Sequence, residues 1–309
     1  MKTKLCISAL LLLMSFVSIN AISWEDRELK VRDMFEEIKQ TEDIAKKNKI
    51  ANAIQVEMIE ILMEVDSFEY DFPLLKNVGS VISSDKMIHM YSYNIIIEDK
   101  IQYITLFQNK EFNTIHILAQ GNAFLPAINA AIPENKWYGA LYYDIHPVEF
   151  RDKKVYMLFG LIPSVTGETQ HKVIDVMTIS KRQIKLGASM FRLLGSRKNQ
   201  YRVLFEFDKL AQMSIQYEKK KNRVVYNHLV PIREIEKNKY VYAPDESFDA
   251  LVLKNDLWTE QENVKVKIKK EKVAKTPKAK KEKTDKKAKK DVIADDIVEE
   301  TEETEETEE

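Results

Sequence analysis

Between Tyr201 and Pro231 the side chains alternate with a period of two, the signature of an extended chain with one buried face. Tyr201, Val203, Phe205 and Phe207 alternate with Arg202, Leu204, Glu206 and Asp208. Ala211, Met213, Ile215 and Tyr217 follow, interleaved with Gln212, Ser214, Gln216 and Glu218. A Lys219-Lys220-Lys221-Asn222 turn then leads to Val224, Tyr226, His228 and Val230, closed by Pro231. The pattern predicts a three-armed β-meander.

Comparable runs recur over 87–97, 101–108, 114–119, 136–145, 155–161, 173–179, 184–191, 240–243 and 250–253. Polar turns separate most of them, such as Glu98-Asp99-Lys100, Arg151-Asp152-Lys153-Lys154 and Ser180-Lys181-Arg182-Gln183. Short turns join antiparallel neighbours, whereas parallel strands need long crossovers, and no helical pattern lies between Asp85 and Trp258. The expectation is a mainly β fold, an antiparallel meander or sandwich-like domain over 67–263. Barrel and propeller closures stay open, although no repeat is visible and seven glycines are few for tight propeller turns.

Two helices are predicted ahead of this domain, in a segment spanning 22–66. Ser23 precedes Trp24-Glu25-Asp26, an N-cap with a carboxylate three residues on. Val31, Met34, Phe35 and Ile38 then recur at helical spacing, as do Ile50, Ile54, Met58, Ile61, Leu62 and Val65, giving helices over 24–39 and 42–65. Their narrow apolar stripes suit packing on a sheet, and too few heptads support a coiled coil.

The start of the chain reads as a secretory signal over 1–21. Lys2 and Lys4 precede an apolar run from Leu5 to Val17, with Ala21 as the small residue at cleavage. No later stretch approaches the roughly 20 apolar residues that a membrane span needs. The expectation is an exported chain, periplasmic, outer-envelope associated or secreted, with no transmembrane segment after cleavage. Cys6, the single cysteine, would leave with the signal, and it stands at the start of the apolar run, where it cannot serve as a lipid anchor. Disulfides and Cys-ligated metals are thereby excluded, and stability must come from an ordinary core.

A net charge of −1 conceals a strongly polar tail over 264–309. From Lys265 to Lys290 fourteen lysines face three carboxylates, and from Asp291 to Glu309 eleven carboxylates face no base. Such a segment buries too little apolar surface to offset its ordering entropy, so disorder is expected. The lysine block would grip an anionic surface or an envelope protein by charge alone. It lacks aromatic residues for base stacking, and nucleic acid is not the expected partner. The adjoining acidic block can mask it, and a solvated polyampholyte spacer explains the composition equally well.

The segment SFEYDFPLLKNVGSVISSDKMIHMYSYN from Ser67 to Asn94 resembles the opening of an uncharacterised family of exported β-rich proteins from Bacteroidetes. Later matches follow in order: WYGALYYDI from Trp137, KVIDVMTI from Lys172, RVLFEF from Arg202, RVVYNHLVP from Arg223 and YAPDESFDAL from Tyr242. The last motif departs from the family at Ala243, usually Gly, and at Phe248, usually Tyr. The resemblance covers about 67 to 258 and implies an exported, mainly β protein. It implies no reaction, cofactor or catalytic residue.

Chemical motifs are sparse. The five histidines, His89, His116, His146, His171 and His228, form no HExxH, HxH or i, i+4 metal pair. His228 shares a strand face with Tyr226 and Val230, which favours a hydrogen-bonded core imidazole over a ligand or base. No nucleotide loop is present, and Gly79-Ser80-Val81 does not fit the GxSxG elbow. Asp245, Glu246 and Asp249 cluster in PDESFD, and Asp175 lies in a strand. Carboxylate pairs can cleave glycosides or hold calcium, but a turn in which Asp245 caps its own backbone explains that residue. Trp137, Tyr138, Tyr142 and Tyr143 offer an aromatic platform, with Tyr138 and Tyr142 expected on one face and Trp137 and Tyr143 on the other. The candidate binding residues are therefore Trp137, Tyr138, His228, Asp245 and Asp249, with no metal or cofactor expected. The leading expectation is a non-enzymatic cell-envelope binding or assembly module; the alternative is a hydrolase of envelope glycans or peptides using carboxylates brought together by the fold.

Overall fold

Ser23 caps the first helix with the reciprocal pair its sequence predicts. Its Oγ accepts the Asp26 N–H at 3.1 Å while the Asp26 carboxylate accepts from Ser23. The computed structural model describes residues 23–98, 100–120, 125–163 and 167–266; the signal expected over 1–21 and nearly all of the charged tail lie outside them. Helix α1 runs Trp24–Gln40 and α2 runs Ile44–Met63, the latter capped by Asp43 through the Lys46 N–H at 3.1 Å. Both predicted helices form, with ends shifted by two residues at most.

The strands are β1 (Gly79–Ile82), β2 (Ile88–Ile97), β3 (Lys100–Asn109), β4 (Thr114–Ala119), β5 (Ile132–Pro133), β6 (Leu141–Phe150), β7 (Lys153–Ile162) and β8 (Thr169–Ile179). They continue with β9 (Ile184–Leu186), β10 (Phe191–Arg192), β11 (Val203–Asp208), β12 (Ile215–Glu218), β13 (Arg223–Glu236), β14 (Lys239–Lys254) and β15 (Leu257–Gln261). Three sheets result: β1-β2-β3-β4; β5-β9-β8-β7-β6 with β11 also on β8; and β10-β15-β14-β13-β12. The named pairings are antiparallel except the short β10–β15 pair, so the expected mainly β, antiparallel class holds.

Side-chain parity stacks these sheets into layers. On β2, Tyr91, Tyr93 and Ile95 meet the apolar stripes of α1 and α2 (Val31, Phe35, Ile54, Met58), while Ile88 and Met90 point the other way. There they meet Tyr156, Leu158 and Met177 of the second sheet. That sheet turns Val155, Met157, Phe159 and Ile174 onto Val224, Tyr226, Leu251 and Trp258 of the third. The first two sheets are thus buried on both faces, and their central strands read as continuous apolar runs rather than alternations.

The meander predicted over 201–231 requires correction. Its first arm, β11, pairs with β8 in the second sheet, whereas β12 and β13 pair in the third. All three arms turn their apolar faces into the same core, with Phe205 against Tyr226 at 4.6 Å between ring centroids. Alternation reports which face is buried, and two facing sheets satisfy it as well as two adjacent strands. The segments predicted separately at 240–243 and 250–253 are one strand, β14.

Gly160 lets the second sheet close on Tyr142. A Cβ there would stand 2.8 Å from Tyr142 Cδ1 and 3.0 Å from Val173 Cγ1. Gly160→Ala is expected to destabilise the fold by about 1–3 kcal/mol, the scale of overpacking a filled core. Chemical denaturation measures this, and an unchanged midpoint would contradict the close approach.

Candidate functional site

Gly139, at φ +87°, interrupts the strand expected over 136–145, and a single 3-10 turn at Glu134–Lys136 precedes it. Trp137 and Tyr138 consequently leave the alternation. They turn into the core beside Tyr142, with ring centroids of Trp137 to Tyr138 and Tyr142 at 6.2 and 5.9 Å. The expected division of these rings between two faces is therefore corrected: Trp137, 0 % exposed, joins Tyr138 and Tyr142, and only Tyr143 reaches solvent.

The tyrosine hydroxyls surround Asp175 of β8. Its Oδ2 accepts from Tyr138 at 2.8 Å, Arg202 Nε at 3.2 Å and Tyr142 at 3.4 Å, and its Oδ1 accepts the Val176 N–H at 2.7 Å. Arg202 Nη1 also donates to the carbonyls of Ala127 and Ala130, tying that loop to the sheet. Both charged side chains are 0 % exposed. Burial first, and then the Asp175 charge, hold the Tyr138 phenol far above its ordinary value. Burial, the largest influence, would lower the Arg202 guanidinium; the Asp175 carboxylate with its hydrogen bond and the neighbouring tyrosines together more than reverse this, so Arg202 remains charged. Sealed and saturated with donors, Asp175 organises the interior and does not meet a substrate.

A second polar group lies where β13 and β14 lose register. Pairing jumps from Asn227 opposite Phe248 to Leu229 opposite Pro244, so Asp245, Glu246 and Ser247 bulge against His228 alone. Asp245 accepts from the Ser247 N–H and Oγ, both at 2.7 Å, which is the self-capping turn expected of it. His228 Nδ1 lies 2.7 Å from Asp249 Oδ2, and Asp249 Oδ1 accepts the Asn263 N–H at 3.0 Å. Hydrogen bonding to Asp249 raises the imidazole above its ordinary value despite partial burial, and Asp245 and Glu262 add negative charge nearby. The structure thus brings His228, Asp245 and Asp249 together and leaves Trp137 and Tyr138 apart from them in the core. The carboxylate fixes Nδ1, leaving Nε2 as the proton-exchanging atom. Among the described residues no nucleophilic side chain bonds to it.

A third contact escaped the sequence patterns. His89 of β2 is held on both ring nitrogens: its Nδ1 donates to the Phe68 carbonyl at 2.8 Å and lies 2.7 Å from the Tyr91 hydroxyl, and its Nε2 lies 2.7 Å from Ser80 Oγ on edge strand β1. Burial lowers its pKa, so the ring is neutral near pH 7 and Nε2 can accept the serine proton. Ser80 and His89 are diagonal neighbours, since Ser80 faces Tyr91 and Ile82 faces His89. No local motif announces such a pair; a serine two positions from the cross-strand partner of a histidine is the only signal.

Among the described residues, no group of three or more His, Cys, Asp or Glu is placed to hold a metal ion, and no helix is long and apolar enough to cross a membrane. No protein-family model matches the chain, and no curated protein or solved structure matches it either.

Asp175→Ala leaves the Arg202 charge buried without its partner, and a loss of about 3–5 kcal/mol is expected. The double replacement Asp175→Leu with Arg202→Met should lose much less than the sum of the single losses; additive losses in denaturant would show the two residues to be uncoupled. The His228–Asp249 contact has the opposite pH sign to an ordinary carboxylate pair. Because the folded imidazole is raised above 6.5, the contact contributes fully below that pH and fades as pH rises through the folded value. The melting-temperature gap between wild type and His228→Gln should accordingly be widest in mildly acidic buffer and narrow toward alkaline pH.

Proposed function

We propose that the chain is exported and serves as a non-enzymatic binding or assembly module of the cell envelope. The observation that supports this most directly is the distal half of the β13–β14 hairpin. Among the described residues, neither Leu229–Glu236 nor Lys239–Ser247 has a second paired strand neighbour, so this part is a two-stranded ribbon. Arg233 bonds to Glu168 at 2.9 Å and its cross-strand partner Val241 is buried, which seats one face of the ribbon on the body. The opposite face carries Tyr240 and Tyr242, with Pro231 across from Tyr242. Both tyrosines are more than a third exposed, as are Ile232 (53 %) and Ile235 (40 %) at two further register shifts of the hairpin.

The ribbon's edges are unsuited to strand addition. Proline has no N–H, so the Pro231–Tyr242 and Leu229–Pro244 pairs are of the non-hydrogen-bonded kind, and both proline nitrogens face outward. Each edge thus lacks a donor where another strand would need one. Recognition therefore falls to the tyrosine face, whose amphipathic rings suit a protein partner. The signal-like start of the sequence and its resemblance to exported Bacteroidetes proteins support the envelope setting, and the lysine block beyond Val264 adds a weak ionic contact.

A hydrolase is the second reading. Asp175 gives it no support, being sealed; the Ser80–His89 contact is what favours it, as a hydroxyl held against a neutral imidazole. Covalent labelling of Ser80 by a fluorophosphonate, lost in His89→Gln, would favour catalysis.

Pull-down from the native envelope separates the sources of binding. The expected outcome is a protein retained by the mature chain and by a truncation after Asn263, but lost with Tyr240→Ser/Tyr242→Ser. A partner retained only by the full-length tail would move the function to the ionic segment.

A further inference from the structure

Strand β1 is the outer edge of the first sheet, and its neighbours fix which of its backbone groups are free. Just beyond its end the Ser83 N–H bonds to the Ile88 carbonyl at 2.8 Å, and bonded pairs alternate along an antiparallel ladder. Gly79 and Val81 therefore bond to β2, whereas Ser80 and Ile82 turn their N–H and C=O groups outward. Among the described residues those outward groups have no partner. Unlike the ribbon, β1 contains no proline, no charged side chain and no register shift, the devices that discourage strand addition at an edge.

A second, independent observation falls on the same residue. Ser80 is exposed, and its Oγ lies 2.7 Å from Nε2 of His89, which is 1 % exposed. The Phe68 carbonyl can only accept, so it keeps the ring proton on Nδ1 and leaves the Nε2 lone pair to Ser80. The hydroxyl stands on one face of the sheet, while the free N–H of the same residue lies in the sheet plane. A peptide carbonyl that accepts this N–H lies in that plane too and turns one face toward the side on which Oγ stands.

We infer that an extended peptide adds to β1 as an outer strand and that Ser80 attacks the peptide carbonyl held by its own N–H. The inference rests on the second, hydrolytic reading and names its substrate class as peptide, not glycan. In the first step the Oγ–carbon bond forms while the hydroxyl proton passes to His89 Nε2; the bond to the leaving group then breaks, and that group takes the proton. Water attacks the acyl group by the same route and restores the Ser80 hydroxyl. The Ser80 N–H faces the oxygen on which negative charge develops.

Hydrolysis of p-nitrophenyl esters by the full chain tests the inference, with fluorophosphonate labelling of Ser80 as a separate measure of the nucleophile. An acetylated tetrapeptide ester of alanine and valine should be cleaved with kcat/KM at least about tenfold above p-nitrophenyl acetate, a difference of about 1.4 kcal/mol. N-methylation of the peptide's inner amides removes the donors that the outward carbonyls of β1 accept, and it should abolish that advantage in the unaltered protein. Ser80→Ala should abolish both cleavage and labelling. Labelling accompanied by equal cleavage of the peptide and acetate esters, or an advantage that survives N-methylation, would overturn peptide addition and leave the nucleophile standing. Cleavage no faster than in Ser80→Ala, with no labelling, would overturn the nucleophile as well.

Discussion

The Asp175–Arg202 contact sets the arrangement of everything around it. Two opposite charges without solvent are costly to bury, and the cost is offset only where geometry and further hydrogen bonds are complete. Here the hydrogen bonds draw on four distant pieces of chain at once: the carbonyls of Ala127 and Ala130, the hydroxyls of Tyr138 and Tyr142, β8, and the residue before β11; Arg202 Nη2 alone is left without a partner among the described residues. A packing that moved any of these pieces would strand a charge or a phenol in the interior. The pair therefore acts on specificity more than on net stability, selecting one seating of the central sheet among apolar alternatives of similar area.

Layering follows from that seating. With α1 and α2 on one side and the third sheet on the other, the two inner sheets lose access to solvent over most of their strands. Polar side chains within reach of an outside molecule lie at margins: the edge strand at Ser80, the bulge at His228 and the ribbon. A layered interior leaves few other places for them.

Local signals carried much of the fold. Ser23 with Asp26 marked the first helix, and the apolar stripes marked the faces of both helices, because these interactions lie within one turn of chain. What alternation could not convey was the identity of the neighbour, and β11 was for this reason placed in the wrong sheet. Arg202 read as an outward residue of an alternating arm, yet it lies wholly inside, bonded to partners 27 to 75 positions away. Tyr138 shares a face with Tyr142 as expected, but Trp137 was misplaced by one glycine in the left-handed region, whose effect depends on the close approach of Tyr103. Asp245 was legible because its partner is two residues away, and Asp249 with His228 was not, because 21 residues and a register jump separate them.

The outward nitrogens of Pro231 and Pro244 have a consequence for life at high concentration. A projecting β-ribbon with tyrosines and isoleucines is ordinarily a seed for fibre growth, each molecule templating the next through its backbone. A missing donor on each flank takes one backbone hydrogen bond out of every such template. The two prolines thus make the ribbon a poorer seed for a cross-β filament than its side chains alone would make it.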